Sequence, residues 1–389
     1  MKLLAGALAP AHTPWQPFDP LILDFLAALS DTIRAAGARE MEELAAFGFW
    51  CRRTHLESLA RRHAAERSRL GRGLLLHIAP SNVPTVFAYS LAIGLLAGNT
   101  NLIRLSMHRG PAEECLCGLL CKTLEQPTFE AVRERIGLIS YPRNDALTTA
   151  LLANCDGRVV WGGDATVAAI RALPMPAHAV EVCFPNRWSL ALLSQAALSR
   201  MDCEARAALA HRFYNDTYLM DQNACSSPHA VFWLEDGGNA AVRTAWWQAV
   251  AEEVARRCVI SPYKAVQKYE LACTAAMMNA GVSNLKWYGG NRVCVAGLTE
   301  PPTPDALPFG RFGLFFECGI TSLEQLLPLL CPKVQTISCA GLATEELAAF
   351  LVQHHSRGGD RVVPVGQALE MDTVWDGTDL ISALSRTIG

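Results

Sequence analysis

From residue 72 onward, short apolar runs alternate with longer stretches of helical periodicity. Gly73-Leu74-Leu75-Leu76-His77-Ile78-Ala79 is a nearly continuous apolar run bounded by glycine and proline, the pattern of a strand buried on both faces. A helical stretch from Val83 to Ala97 follows and stops at Gly98-Asn99, a helix C-terminal signal. Asn101 to Leu105 then reads as a second strand, Pro111 to Leu124 as a helix, Ile136 to Ser140 as a third strand, Ala146 to Asn154 as a helix and Arg158 to Trp161 as a fourth strand. Gly162-Gly163-Asp164 opens a further helix through Arg171. This run of strand-helix alternations predicts a doubly wound parallel sheet, and nucleotides bind at the carboxyl ends of such strands.

The flanking regions have other patterns. The first 70 residues predict two helices, the second long and amphipathic, beside that sheet. A proline-rich break, Leu173-Pro174-Met175-Pro176-Ala177, separates the sheet from the remainder of the chain. A strand at 188–193, a helix at 203–220, an apolar strand from Ala230 to Leu234 and two further helical segments predict a second α/β domain ending near Thr336 to Gly341. Ala343 to His355 is helical, and Arg361-Val362-Val363-Pro364-Val365 returns as an extended tail. The expected organisation is a nucleotide-binding domain with N-terminal helices over 1–185 and a second domain over 186–341. Residues 342–389 form a segment that returns to the first domain or to an oligomer interface.

Composition narrows the class. With 51% hydrophobic and 18% charged residues among 389, the chain has ample apolar material for buried cores. A formal net charge of -3 gives no electrostatic reason to expect nucleic acid, and the arginines between Arg52 and Arg72 are interleaved with Glu57 and Glu66 as on a solvated helix face. Lys2 is followed by Pro10, Pro14, Trp15 and Pro17 rather than by an apolar leader segment. The longest apolar stretch, near 83–97, is interrupted by Pro84, Tyr89, Ser90 and Gly94 and is too short for a span of about 20 residues, so a cytoplasmic protein without a membrane span is expected. The fourteen cysteines are scattered and form no C-x-x-C pair, which predicts reduced thiols. Cys115, Cys117 and Cys121 lie on a helical segment without histidine partners, and no metal site is expected.

Two short segments carry candidate chemistry. Asp221-Gln222-Asn223-Ala224-Cys225-Ser226-Ser227-Pro228 lies between a helix and a strand and displays one thiol on a loop. Backbone N–H groups in such a turn can lower a thiol pKa and hold an oxyanion. Ala79-Pro80-Ser81-Asn82-Val83-Pro84 follows the first strand, where the Asn82 amide is placed either to donate to an oxyanion or to cap the next helix. His229 enters the strand after the loop, and a structural role is expected for it.

Together these segments resemble the aldehyde-dehydrogenase superfamily, and within it the LuxC-type acyl-CoA reductases. Pro80-Ser81-Asn82-Val83-Pro84 is similar to the P-x-N-x-P segment whose Asn helps form the oxyanion hole, and Gly98-Asn99 through Arg104-Leu105-Ser106 resembles the G-N-x-x-x-x-K-x-S strand that touches the adenosine ribose. Trp161-Gly162-Gly163-Asp164-Ala165-Thr166 resembles the W-G-G-D-x-T turn of the reductase branch, Asp221 to Pro228 its nucleophile motif, and Trp375-Asp376-Gly377-Thr378-Asp379-Leu380 its C-terminal signature. The resemblance runs from about residue 72 to the end. It implies two doubly wound α/β domains with a catalytic cleft between them, Cys225 as nucleophile and Asn82 in the oxyanion hole. Cofactor-binding positions would be Pro80, Ser81, Arg104, Ser106, Trp161, Gly162, Gly163 and Glu317, the last at the nicotinamide ribose.

Departures from the family pattern refine that expectation. Arg104 replaces a ribose-binding Lys, and Met107 replaces the acid that often follows the Ser. A guanidinium without that acid favours a 2′-phosphate, so NADPH is expected in preference to NADH. The superfamily's E-L-G-G-K general-base motif is absent, and Glu181 in Glu181-Val182-Cys183-Phe184 is the candidate for its place. The implied reaction is NADPH-dependent reduction of an acyl-CoA or acyl-carrier-protein thioester to an aldehyde through an acyl-cysteine. The implied partners are an acyl-activating ligase and further copies of the chain in a homo-oligomer. The alternatives are an oxidative aldehyde or semialdehyde dehydrogenase, and a subunit that only holds the acyl group.

Overall fold

The computed structural model describes residues 1–8, 10–37, 41–64, 68–80, 83–278, 281–307 and 309–389. The chain divides into two α/β units, one made of Met1–Asn186 with Met371–Gly389 and the other of Arg187–Glu370.

In the first unit, β1 (Lys2–Gly6) precedes α1 (Pro20–Ala35), α2 (Glu42–Trp50), α3 (Arg53–Arg62) and the short β2 (Arg69–Gly71). The alternation then runs β3 (Leu74–Ile78), α4 (Val86–Leu96), β4 (Thr100–Leu105), α5 (Pro111–Leu124), α6 (Glu130–Arg133), β5 (Ile136–Ser140), α7 (Asp145–Leu152), β6 (Gly157–Trp161), α8 (Asp164–Arg171) and β7 (Val180–Phe184). The sheet order is β1-β5-β4-β3-β6-β7, and only β1 is antiparallel to its neighbour. Every residue of β3, β5 and β6 is buried, because helices cover both faces of the parallel sheet. Helix α4 is apolar on nearly all sides and buried from Ser90 to Leu96. Gly98 ends it at φ 85°, and a side chain there would collide with the Trp15 carbonyl.

Three features differ from the pattern read in the sequence. Three helices, not two, precede residue 70, and β1 adds an antiparallel edge. The proline-rich segment is a connection that feeds β7 back into the same sheet, not an exit from it. The second unit also keeps residues up to Glu370, so the return to the first unit begins at Met371 rather than at 342.

The second unit contains β8 (Trp188–Ser194), α9 (Gln195–Ser199), α10 (Cys203–Thr217), β9 (Pro228–Leu234), α11 (Ala241–Arg257), α12 (Pro262–Met278), β10 (Val282–Tyr288), β11 (Val293–Leu298), β12 (Leu314–Ile320), β13 (Val334–Ala340), α13 (Thr344–Gln353) and β14 (Arg361–Pro364). Its sheet order is β10-β11-β12-β9-β8-β13-β14, parallel except for the edge strand β10. Alternate residues of β8 serve opposite faces. Trp188, Leu190 and Leu192 join a core with Ala272 of α12 and Leu347 of α13, whereas Ala191 and Leu193 join one with Phe213 of α10 and Trp246 and Trp247 of α11. Back in the first unit come β15 (Val374–Trp375), β16 (Thr378–Asp379), α14 (Leu380–Ala383) and β17 (Ser385–Thr387), and β17 pairs with β2. Among the described residues no helix is long and apolar enough to cross a membrane.

Candidate active site

Helix α10 unwinds after Thr217 into the loop that carries Cys225. Asp221 and Gln222 take left-handed backbone conformations, φ 50° and 58°, and the Gln222 N–H donates back to the Thr217 carbonyl at 2.7 Å. Non-glycine residues hold that conformation only where their surroundings compensate, and here the Gln222 side chain does so. Its buried amide donates from Nε2 to the carbonyls of Pro228 at 3.2 Å and Leu314 at 3.1 Å, and its Oε1 accepts the Gly313 N–H at 2.7 Å. Gly313, at φ 88°, fits because a Cβ there would lie 2.4 Å from the Tyr218 hydroxyl. Asp221 pairs with Lys264 at 2.8 Å, and its carbonyl accepts the Phe312 N–H.

Past this clamp, the Ser227 N–H donates to the Ala224 carbonyl at 3.0 Å, closing a tight turn with Cys225 inside it. The Ser189 hydroxyl on β8 donates to the Cys225 carbonyl at 2.7 Å and accepts the Thr336 N–H at 3.0 Å. Cys225 is an exposed residue, and of the other thirteen cysteines only Cys203 is. Burial pushes the thiols of Cys117, Cys155 and Cys294 up to about 12, which disfavours the nucleophilic thiolate at those positions. His229 is buried, its Nδ1–H donates to the Gly310 carbonyl at 2.6 Å, and burial lowers its pKa to about 4. It pins the start of β9 as a neutral ring.

In the first unit, the carboxyl ends of the strands open on a cavity of about 170 Å³ lined by Ile78, Arg104, Tyr141, Arg143, Thr148 and Thr166, among others. Arg104 donates from Nη2 to the Tyr141 carbonyl at 3.2 Å and stands over the Tyr141 ring. Arg143, which belongs to none of the sequence motifs, lies on the same cavity directly after β5, in Tyr141-Pro142-Arg143. Two guanidiniums, three hydroxyls and the Asp145 carboxylate, beside apolar Ile78 and Ile170, suit a polar ligand such as a nucleotide. The strand order reverses at β3, flanked by β4 and β6, where doubly wound sheets take such ligands.

Trp161 ends β6 and stacks on Phe184 at 3.8 Å, and the Gly162 N–H donates to the Phe184 carbonyl at 3.2 Å. Gly163 then forms the N-cap of α8, whose Thr166 faces the cavity. Ser106 accepts the His108 N–H on its hydroxyl, and its carbonyl receives Arg109 and Ser140. Pro80 is half-buried just beyond β3, while Ser81 and Asn82 lie outside the described residues.

The two remaining carboxylates are engaged in packing. Glu181 sits on β7, where Oε2 accepts Arg158 Nε at 2.6 Å and Oε1 meets Arg171 Nε at 2.7 Å. A carboxylate whose oxygens face two guanidiniums is poorly placed to take a proton from water, contrary to the expectation of a base. Glu317 on β12 is buried, and its Oε2 accepts the indole N–H groups of Trp233 at 3.1 Å and Trp247 at 2.8 Å. That geometry ties its Oε2 to the aromatic core of the second unit.

Comparison with known proteins places this arrangement. A family model described as acyl-CoA reductase (LuxC) matches residues 40–387. No curated protein matches the chain. Among solved structures, a putative aldehyde dehydrogenase from Burkholderia cenocepacia is 14% identical with a TM-score of 0.62, over 95% of this chain and 85% of that one. Lactaldehyde dehydrogenase from Escherichia coli is also 14% identical at a TM-score of 0.62, over 95% of this chain and 86% of that one. An NAD-dependent benzaldehyde dehydrogenase from Corynebacterium glutamicum is 13% identical at 0.60, over 94% and 84%. At these identities the likeness is one of fold.

Proposed function

This chain belongs to the acyl-CoA reductase (LuxC) family, and on that premise we propose that it reduces an acyl thioester to an aldehyde with NADPH, through an acyl group held on Cys225. The observation that carries the reading is Cys225 itself, exposed on a turn that Gln222 and Ser189 fix to the second sheet. A nucleophile needs that combination of access and fixed aim.

In the proposed cycle the Cys225 thiolate adds to the thioester carbonyl, and the Asn82 amide donates to the oxygen that becomes negative. The C–S bond to the carrier breaks, the carrier thiolate leaves and takes a proton, and the acyl group remains on Cys225. Reduced nicotinamide, when bound, supplies the hydride that brings the acyl carbon to the aldehyde level. The bond to the Cys225 sulfur then breaks, releasing aldehyde and restoring the thiol. Arg104 and Arg143 on the first unit's cavity would hold the 2′-phosphate and so select the phosphorylated cofactor. With Glu181 engaged by two arginines, the carboxylate expected as general base is poorly placed to activate water against the acyl-enzyme.

Intact-mass measurement after incubation with acyl-CoA, and separately with an acyl carrier protein thioester, tests the reading. The expected result is a single acyl adduct on the Cys225 peptide that persists without cofactor and is discharged as aldehyde when NADPH is added. Rapid release of free acid without cofactor turnover, or an adduct confined to other cysteines, overturns it.

A further inference from the structure

Beneath the Trp161-Gly162-Gly163 turn runs a buried chain of hydrogen bonds that the proposed chemistry does not use. The Trp161 indole N–H donates to the Ser90 hydroxyl of α4 at 2.9 Å. Ser90 lies 2.7 Å from His77 Nδ1 on β3, and His77 Nε2 lies 2.9 Å from Asn101 Oδ1 on β4. Asn101 Nδ2 donates to the Asn99 carbonyl at 3.0 Å, and Asn99 Nδ2 donates to the Leu384 carbonyl at 2.8 Å. Asn99 Oδ1 in turn accepts the backbone N–H groups of Arg72 and Gly73.

The partners fix the direction of every bond. Indole nitrogen only donates and an amide oxygen only accepts, so His77 carries its proton on Nε2 and receives the Ser90 proton on Nδ1. His77, Asn99 and Asn101 are fully buried, and burial lowers the His77 pKa to about 4, which keeps the ring neutral near neutral pH. The helix opposite makes room for this chain: a Cβ on Gly94 of α4 would lie 2.0 Å from Asn101 Oδ1 and 3.2 Å from His77 Cε1. A polar chain this deep in the sheet specifies one arrangement of its members, because any break leaves buried groups unsatisfied.

We propose that Ser90, His77 and Asn101 are positioning residues for cofactor binding: they orient Trp161, and through it Gly162, Gly163 and the first turn of α8, against the cavity that Arg104 lines. The inference rests on the reading of that cavity as the cofactor site. Trp161 is the last residue of β6, and the two residues after it deliver the chain into α8, which contributes Thr166, Ala169 and Ile170 to the cavity wall. A rotation of the indole would therefore be passed directly to that wall. At its other end the chain terminates on Leu384, which lies just after the C-terminal signature, so residues distant in sequence set one turn.

The test compares His77→Gln, His77→Leu and Ser90→Ala in the full chain. Glutamine can donate to Asn101 and accept from Ser90, whereas leucine can do neither. Three measurements are made on each variant: NADPH binding by titration of cofactor fluorescence, thermal midpoint, and acylation of Cys225 by an acyl-CoA without cofactor. The expected outcome is a tenfold or greater weakening of NADPH binding in His77→Leu and Ser90→Ala, recovery to within about threefold in His77→Gln, and cofactor-free acylation within about twofold of the parent in all three. If His77→Leu does not fold, Ser90→Ala, which removes one atom from a helix, carries the test alone. Parent-like NADPH binding in Ser90→Ala or His77→Leu, with or without a lowered thermal midpoint, overturns the proposal and leaves the cofactor reading standing. A parent protein that acylates normally but binds neither NADPH nor NADH overturns both.

Discussion

Gly313 donates its backbone N–H to Gln222 Oε1 at 2.7 Å, and this bond joins the loop that presents Cys225 to the residue just before β12. Because the same Gln222 amide also donates to Pro228 and Leu314, one side chain holds three backbone groups that no water reaches. Gln222→Ala should expose each of them as an unsatisfied group at about 1–3 kcal/mol apiece and slow acylation of Cys225 by about tenfold to a hundredfold through misplacement. Gln222→Glu, which keeps the shape but sets a buried carboxylate oxygen against the Pro228 and Leu314 carbonyls, should lose at least as much as Ala. Urea denaturation beside single-turnover acylation reads both effects. Unaltered acylation in Gln222→Ala would mean that the loop holds its shape without this clamp.

Cys225→Ala should abolish both acyl-adduct formation and aldehyde production, and Cys225→Ser should nearly do so, since a hydroxyl without a paired base is a poor nucleophile near neutral pH. Cys203 is the other exposed cysteine and supplies the control. Cys203→Ser should retain activity, and loss of the adduct in that variant instead would relocate the nucleophile.

Arg104→Ala should weaken NADPH binding by at least tenfold, corresponding to loss of one charge-assisted contact of about 1.5–3 kcal/mol, while NADH binding changes little. Arg143→Ala should have the same sign and a smaller size, since its side chain is largely exposed and also lies near Asp145. Titration with both cofactors decides the matter. Equal affinity of the parent for NADH and NADPH would remove the basis for the assignment.

Asn82→Ala should leave the thermal midpoint and cofactor affinity close to the parent values but slow acylation by roughly 10²- to 10³-fold. A matched loss of stability and rate would instead identify Asn82 as a helix cap. Differential scanning fluorimetry paired with a single-turnover assay separates the two.

Stability should also depend on pH in a direction set by His77 and His229. Burial holds both at about 4, below the ordinary value of 6.5. Between those values the unfolded chain gains a proton at each ring and the folded chain does not, so their stabilisation is full above about pH 6.5 and is lost as pH falls towards 4. The loss amounts to a few kcal/mol for each ring at the lower end, on the order of 1.4 kcal/mol per pH unit. In His229→Asn the fall in urea stability between pH 7.5 and pH 4.5 should be shallower than in the parent. An identical slope would mean that His229 titrates alike in both states.

The elements legible in the sequence are those with a continuous apolar run or clear terminal signals. β5 falls on Ile136–Ser140 and α5 on Pro111–Leu124, as their runs of apolar residues and terminal signals indicate. Two edge strands are not legible: β1 is only partly buried, and β10 exposes most of its residues, so neither shows a clean alternation. β7 was obscured because Glu181 interrupts its apolar pattern to meet Arg158 on the neighbouring strand. At the site, Cys225 stood out through its surrounding motif, whereas Gln222 was visible only as part of that motif and Ser189 not at all. Their roles depend on contacts across strands that sequence spacing does not encode. Polar residues inside buried strands carry a further signal: His77 within Leu74–Ile78 and Asn101 within Thr100–Leu105 cost desolvation that only a partner could offset.

The pairing of β17 with β2 also bears on how the chain folds as it is made. Arg69–Gly71 leaves the ribosome more than three hundred residues before Ser385–Thr387, and the whole second unit is synthesised in between. Until then β2 has no strand partner, and Asn99, which receives Leu384 only at that stage, holds a buried donor without its acceptor. The first unit therefore begins folding first and finishes last. A chain released after Ala383 should carry a second unit already resistant to protease and a first unit still open to it at β2.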